Sequence, residues 1–180
     1  MDEQELIRRV KEGDEMAFAA LMTAYKDRLV NFLYHSSGDY EKAVDLAQET
    51  FIRVYFRAHQ YRPIAPVSAW IFTIASNLAK SEAKKRRKTN LVSLEEIGPE
   101  TGRQGMNYDP PSSGLTRNLE QALEELPTHY RIPLLLKDIE GFSQEEIARM
   151  LGRPVGTIKA RISRARHILR LRLEGALKEK

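Results

Sequence analysis

Gly141-Phe142-Ser143-Gln144-Glu145-Glu146-Ile147-Ala148-Arg149-Met150-Leu151-Gly152-Arg153-Pro154-Val155-Gly156-Thr157-Ile158-Lys159-Ala160-Arg161-Ile162-Ser163-Arg164-Ala165-Arg166 is the most informative stretch of this 180-residue chain. Ser143 and Glu146 stand at capping-box spacing, in which each side chain satisfies the other's backbone N–H at a helix start. Gly152 supplies the turn that ends this first helix, and Pro154 is tolerated at the start of a second. A helix, a short glycine turn and another helix, from Ser143 to Ile162, make a helix-turn-helix. At ~100° per residue Ile158, Ile162, Ala165 and Leu169 share one side of the second helix and must pack inward. Gly156, Thr157, Ala160, Ser163 and Arg164 point the opposite way, with Lys159 and Arg161 on the flanks. A small, polar and cationic face lets the backbone approach a major groove while Thr157 and Arg164 reach base edges. From Arg149 to Arg172 there are eight basic residues and no acid.

Upstream, helical periodicity governs the first ninety residues. A short helix around Glu3 to Lys11 ends at Gly13. With Asp14 as N-cap, a second runs to about His35 and buries Phe18, Leu21, Met22, Tyr25, Leu29, Phe32 and Leu33. Ser36 to Asp39 punctuate the chain before a third helix, Tyr40 to Ala58, whose apolar side carries Ala43, Ala47, Phe51, Val54 and Ala58. Pro63 and Pro66 break the loop that follows. A fourth helix, from about Val67 to Lys88, buries Trp70, Ile71, Ile74, Ala75 and Leu78. From Thr89 to Ser113 glycine, proline and serine crowd together and aliphatic periodicity lapses, which predicts a flexible tether. Helical pattern resumes at Leu115 and continues through Pro127 to Ile139, then into two short helices. No alternating strand pattern occurs, so the expected fold is all-α: two small helical domains, 1–90 and 114–180, joined by a linker over 91–113.

Composition narrows the function. The chain has no cysteine, which excludes disulfides, thiolate metal sites and cysteine nucleophiles and suits a cytoplasmic location. No apolar run approaches the ~20 residues of a membrane span, so no membrane insertion is expected. The net charge is only +4, but its placement is informative. Lys80 to Lys88 hold six basic residues and one acid. Asn77, Lys80, Lys84 and Arg87 follow three-and-four spacing after Thr73, a cationic stripe suited to a phosphate backbone, with Lys85 and Lys88 beside it. On the third helix Glu41, Asp45 and Glu49 form an acidic stripe opposite the apolar face. His35, His59, His129 and His167 stand at no ligand spacing, and no phosphate loop or nucleophile motif accompanies them, so neither cofactor nor metal is expected.

The run from Phe142 to Ala148, then Gly152 to Arg161 and Arg164-Ala165-Arg166, resembles region four of bacterial sigma factors of the extracytoplasmic-function group. Leu126-Pro127, Arg131, Leu134-Leu135-Leu136 and Glu140-Gly141 match as well. The resemblance implies a domain that binds the minus-35 promoter element through Arg153, Thr157, Lys159, Ala160, Arg161, Ser163 and Arg164, and that touches the polymerase flap. Asp45-Leu46-Ala47-Gln48-Glu49-Thr50-Phe51 looks like the motif with which sigma factors dock on the clamp helices of the largest polymerase subunit, implying Asp45, Gln48, Glu49 and Phe51 as docking groups. Val44 stands where relatives often have an acid. Trp70 to Asn77 resembles the minus-10 recognition and melting helix. The loop before it would help accept an extruded base, with Tyr61 and Arg62 lining the pocket and Asn77, Lys80, Lys84, Lys85, Arg87 and Lys88 on the strand. Ser81 replaces a frequent aspartate.

The implied function is that of a non-catalytic alternative sigma factor. Its implied partners are core RNA polymerase, promoter DNA and an anti-sigma factor. Two other readings stay open on the residues alone. One is a helix-turn-helix regulator that never binds polymerase, which leaves Asp45 to Phe51 idle. The other is a nucleic-acid enzyme holding a metal with Glu41, Asp45 and Glu49.

Overall fold

The computed structural model describes residues 2–96 and 117–178, and the described residues form eight α-helices and no strand. The N-terminal unit comprises α1 (Glu3–Lys11), α2 (Glu15–Ser37), α3 (Tyr40–Arg57) and α4 (Val67–Glu96), with one 3-10 turn at Ala58–Gln60. The C-terminal unit comprises α5 (Arg117–Glu125), α6 (Thr128–Asp138), α7 (Gln144–Leu151) and α8 (Val155–Lys178). Among the described residues no helix is long and apolar enough to cross a membrane.

Short polar side chains set the helix starts. Asp2, Asp14, Asp39 and Ser143 each accept a backbone N–H at the beginning of α1, α2, α3 and α7. Arg9 also clamps Asp14 at 2.6 Å and fixes the corner between α1 and α2. The Asp14 carboxyl is held below its ordinary range, first by the Ala17 N–H and then by Arg9.

Leu21, Tyr25, Leu29, Phe32 and Leu33 of α2 run through the middle of the N-terminal core and meet Phe72 of α4, the Phe32 and Phe72 rings lying 5.4 Å apart. Met22, expected in that stripe, is 37% exposed, because the buried arc of α2 follows Leu21, Tyr25 and Leu29 and leaves its neighbour at the rim. Helix α4 runs on to Glu96, past residue 91 where the sequence pattern starts its linker. The rest of that linker, 97–113, lies outside the described residues. Pro133 lies inside α6, is buried and leaves no N–H to bond the preceding turn. The last helix is one element of 24 residues, not a short one, because between Gly156 in its first turn and Gly175 near its end no glycine or proline interrupts it.

The two units pack on each other. Phe142 stands edge-on against Phe72 with centroids 5.6 Å apart. Arg131 of α6 is buried and donates to Ser36 O of α2 at 2.7 Å, while its other nitrogen donates to Leu126 O at 2.6 Å and to Glu124 O. Arg28 of α2 pairs with Glu140 at 2.9 Å, and its guanidinium lies 5.2 Å from the Phe72 ring centroid. Helices α2 and α4 therefore belong both to the N-terminal core and to the seam.

Candidate nucleic-acid interface

The helix-turn-helix is built as its residues imply. Ser143 Oγ accepts from Glu146 N at 3.1 Å while the Glu146 carboxylate accepts from Ser143 N at 2.8 Å. Gly152 takes φ 61°, a left-handed conformation that side-chain-bearing residues rarely adopt, and its N–H closes on Ala148 and Arg149 carbonyls. Ile147, Ala148 and Met150 of α7 and Ile158, Ile162 and Ala165 of α8 are buried, which fixes the roll of α8. Arg153, Lys159, Ala160, Ser163 and Arg164 are consequently exposed, with Thr157 and Arg161 half-buried. Arg166 on a neighbouring face pairs with Asp138 at 2.6 Å and ties α8 to α6.

On α3 the residues separate into two sets. Asp45 and Gln48 are exposed, and Glu49 is half-buried and engaged by Arg53 at 2.7 Å, one turn on. Phe51 is only 5% exposed: it supports this face from the core and presents no surface of its own to a partner. Sequence periodicity did carry that signal, since Phe51 shares its side with Ala47 and Val54. Missed altogether were Ile52 and Phe56, 50% and 70% exposed, which continue the line of Gln48 and Glu49 at three-, four- and seven-residue spacings and add an apolar end to the acidic stripe.

The loop before α4 is held rigidly. Tyr61 is 3% exposed, and its hydroxyl donates to Ala65 O and accepts from Gln4 Nε2, both at 2.7 Å. Lys11 donates to Tyr61 O at 2.8 Å, so α1 also anchors this loop. The Tyr61 and Trp70 rings lie 5.4 Å apart. Arg62 is exposed beside them. A cleft of about 300 Å³ opens here, walled on one side by Tyr61, Arg62, Trp70 and Thr73 and on the other by Glu146, Arg149 and Met150 of α7.

Along α4, Asn77, Lys80, Lys84, Lys85, Arg87 and Lys88 are all exposed and the cationic stripe is continuous. The Lys80 ammonium is pushed below its ordinary range by partial desolvation and then by the charges of Arg153 and Arg161. The α4 stripe and the helix-turn-helix thus meet as like charges across the seam. His129 is likewise pushed down, first by partial burial and then by Arg161 and Arg87. Among the described residues no group of three or more acidic or histidine side chains converges to hold a metal, and Glu41, Asp45 and Glu49 stay strung along one helix.

Known proteins resemble this chain over both units. The description "Sigma-70 region 2" matches residues 21–89 and "Sigma-70, region 4" matches residues 116–169. The ECF RNA polymerase sigma factor SigW of Bacillus subtilis is 34% identical, with 93% of this chain and 94% of that protein covered. The RNA polymerase sigma-H factor of Pseudomonas aeruginosa is 31% identical, over 98% and 96%. Among solved structures, the sigma factor RpoE in complex with the anti-sigma factor NepR from Bartonella quintana superposes with a TM-score of 0.70 at 27% identity, covering 87% of this chain and 96% of that one. CnrH in complex with the cytosolic domain of CnrY, at 24% identity and TM-score 0.72, shares the fold. With region 2 and region 4 matched in order and relatives aligned nearly end to end, the chain belongs to the sigma-70 family, in its extracytoplasmic-function group.

Proposed function

We propose that this alternative sigma factor, which directs RNA polymerase to promoters, divides the work among three faces. The observation that carries the reading is the split of α8 into a buried Ile158–Ile162–Ala165 side and an exposed Ala160–Ser163–Arg164 side with Thr157 half-buried at its edge, which leaves one helix face free for a major groove. Arg153, Lys159 and Arg161 would hold the phosphates of the minus-35 element while Thr157 and Arg164 read its bases. Asn77, Lys80, Lys84, Lys85, Arg87 and Lys88 would track the strand of the minus-10 element, with Arg62 and the loop held by Tyr61 receiving an extruded base. Asp45, Gln48 and Glu49 would meet the basic clamp helices of the largest polymerase subunit, where complementary charge sets orientation and on-rate. The helix-turn-helix unit would also contact the flap of the second large subunit.

The protein itself catalyses nothing in this scheme. It works in the cytoplasm beside the polymerase, with domains at 1–90 and 114–180 and the intervening linker allowing both elements to be engaged at once. An anti-sigma factor is the proposed negative regulator, as RpoE of Bartonella quintana has NepR. The test is run-off transcription with purified core polymerase and a genomic fragment library. Discrete transcripts that need both proteins are the expected result; duplex binding without core binding or transcription would point instead to a simple helix-turn-helix regulator.

A further inference from the structure

We infer that α1 is a brace for the Tyr61–Arg62 loop, with Gln4 and Lys11 as positioning residues for promoter opening. The inference rests on the reading in which that loop receives an extruded base, and it gives a role to a helix outside the residues 21–89 matched to region 2. Gln4 and Lys11 stand two turns apart on one face of α1, about 10 Å by helical rise. Both reach the same residue. Gln4 Nε2 donates to the Tyr61 hydroxyl at 2.7 Å, and Lys11 Nζ donates to the Tyr61 carbonyl at 2.8 Å while lying 5.4 Å from the ring centroid. Tyr61 is thus gripped at both its ends.

The brace is itself fixed. Leu6, Ile7 and Val10 bury the inner side of α1, Glu3 accepts from the Tyr25 hydroxyl of α2 at 2.7 Å, and Arg9 closes on Asp14. From Tyr61 the constraint passes into the loop, because the hydroxyl that accepts from Gln4 donates its one proton to Ala65 O, also at 2.7 Å. A single side chain therefore ties Tyr61 to Ala65 and leaves Arg62, Pro63 and Ile64 exposed at the apex, Ile64 at 88%. An apex already ordered meets an extruded base without first losing loop entropy, so releasing the brace lowers the fraction of loops competent to receive it.

Gln4→Glu keeps the size of the side chain and adds a charge that suits the first turn of α1, yet it offers only acceptors and competes with Ala65 for the single Tyr61 proton. Lys11→Met removes the second grip, whereas Lys11→Arg keeps a donor. Holoenzyme assembled from core polymerase and each variant is tested on a promoter fragment recovered by run-off selection. Abortive-initiation kinetics separate initial duplex binding from the opening rate, and permanganate reactivity of minus-10 thymines reports unpaired bases. With far-UV circular dichroism and melting temperature unchanged, Q4E and K11M are expected to slow opening about three- to tenfold and to leave initial binding within about twofold. K11R should open at the wild-type rate. Q4A should slow opening in the wild-type background but not further in Y61F, where its contact is already gone. Wild-type opening rates in Q4E and K11M overturn the brace while leaving the promoter reading intact, as does a joint loss of initial binding and opening in step with the melting temperature. Absence of any transcript from wild-type holoenzyme overturns the promoter reading and the brace with it.

Discussion

Arg164 and His35 show how burial assigns a side chain its role. Arg164 is exposed on the face of α8 opposite Ile162, with Ser163 beside it, so its guanidinium is free to make a bidentate contact to a base. Arg164→Ala should therefore cost about 1–3 kcal/mol of discrimination at one minus-35 position. Selection from a randomised promoter library should show preference relaxed at that position and kept elsewhere; an unchanged preference removes Arg164 from the reading set. His35 is the opposite case. It is 3% exposed at the end of α2, its Nε2 has no hydrogen-bond partner among the described residues, and burial pushes it down to about 4. The unfolded chain then binds a proton that the folded chain refuses between about 6.5 and 4. This contribution to stability is complete above about pH 6.5 and declines as pH falls toward 4, by roughly 1–3 kcal/mol. Urea unfolding at several pH values should show that decline in the wild type and a shallower one in His35→Gln.

At the scale of helices, local chemistry was legible wherever a residue satisfies its own neighbours. The capping box at Ser143 and Glu146 needs only three residues of separation, so both its existence and the start of α7 could be read directly. Ser143→Ala should cost about 0.5–2 kcal/mol in thermal or urea unfolding. Glu146→Gln, which keeps an acceptor, should cost less, and equal losses would mean that the box contributes little. The buried side of α8 was legible for the same reason: Ile158, Ile162 and Ala165 repeat at the helical period. Phe51 shows where pattern and motif disagree. The docking motif implied a contact residue, yet helical phase placed it with Ala47 and Val54, and the structure follows the phase. Tyr61 lines the cleft as the motif implies, but the commitment of its hydroxyl to Ala65 and Gln4, partners 4 and 57 residues away, is not written in the local sequence. No periodicity encodes a contact with α1. Ile52 and Phe56 could have been found by continuing the Gln48–Glu49 line one and two turns further along α3.

At the scale of the whole molecule, the packing of the two units depends on contacts too distant in sequence for any local pattern to reveal. The Arg131 to Ser36 hydrogen bond spans 95 positions and the Arg28 to Glu140 pair spans 112. Arg131 belongs to a sequence motif, but the motif does not say that its guanidinium ends on α2 as well as on α5. Three carbonyls from two units, Ser36, Glu124 and Leu126, accept from this one buried cation, which burial, followed by the charge of Arg86, pushes down to about 10, so that it stays protonated through neutral pH. With Arg131 and the Phe72–Phe142 contact in place, the units should melt together. Trp70 fluorescence, which reports the N-terminal unit and its seam with α7, and far-UV circular dichroism, which reports all helices, should then trace one transition. Arg131→Met keeps much of the buried stem but removes every donor, leaving the Ser36 carbonyl without this partner and costing about 1.5–3 kcal/mol. The C-terminal unit loses the Glu124 and Leu126 contacts as well and should melt first. In this variant the two probes should separate, with the dichroism midpoint falling below that of Trp70. Coincident curves in Arg131→Met would show that apolar contacts alone couple the units, and separate curves in the wild type would show that they are not coupled.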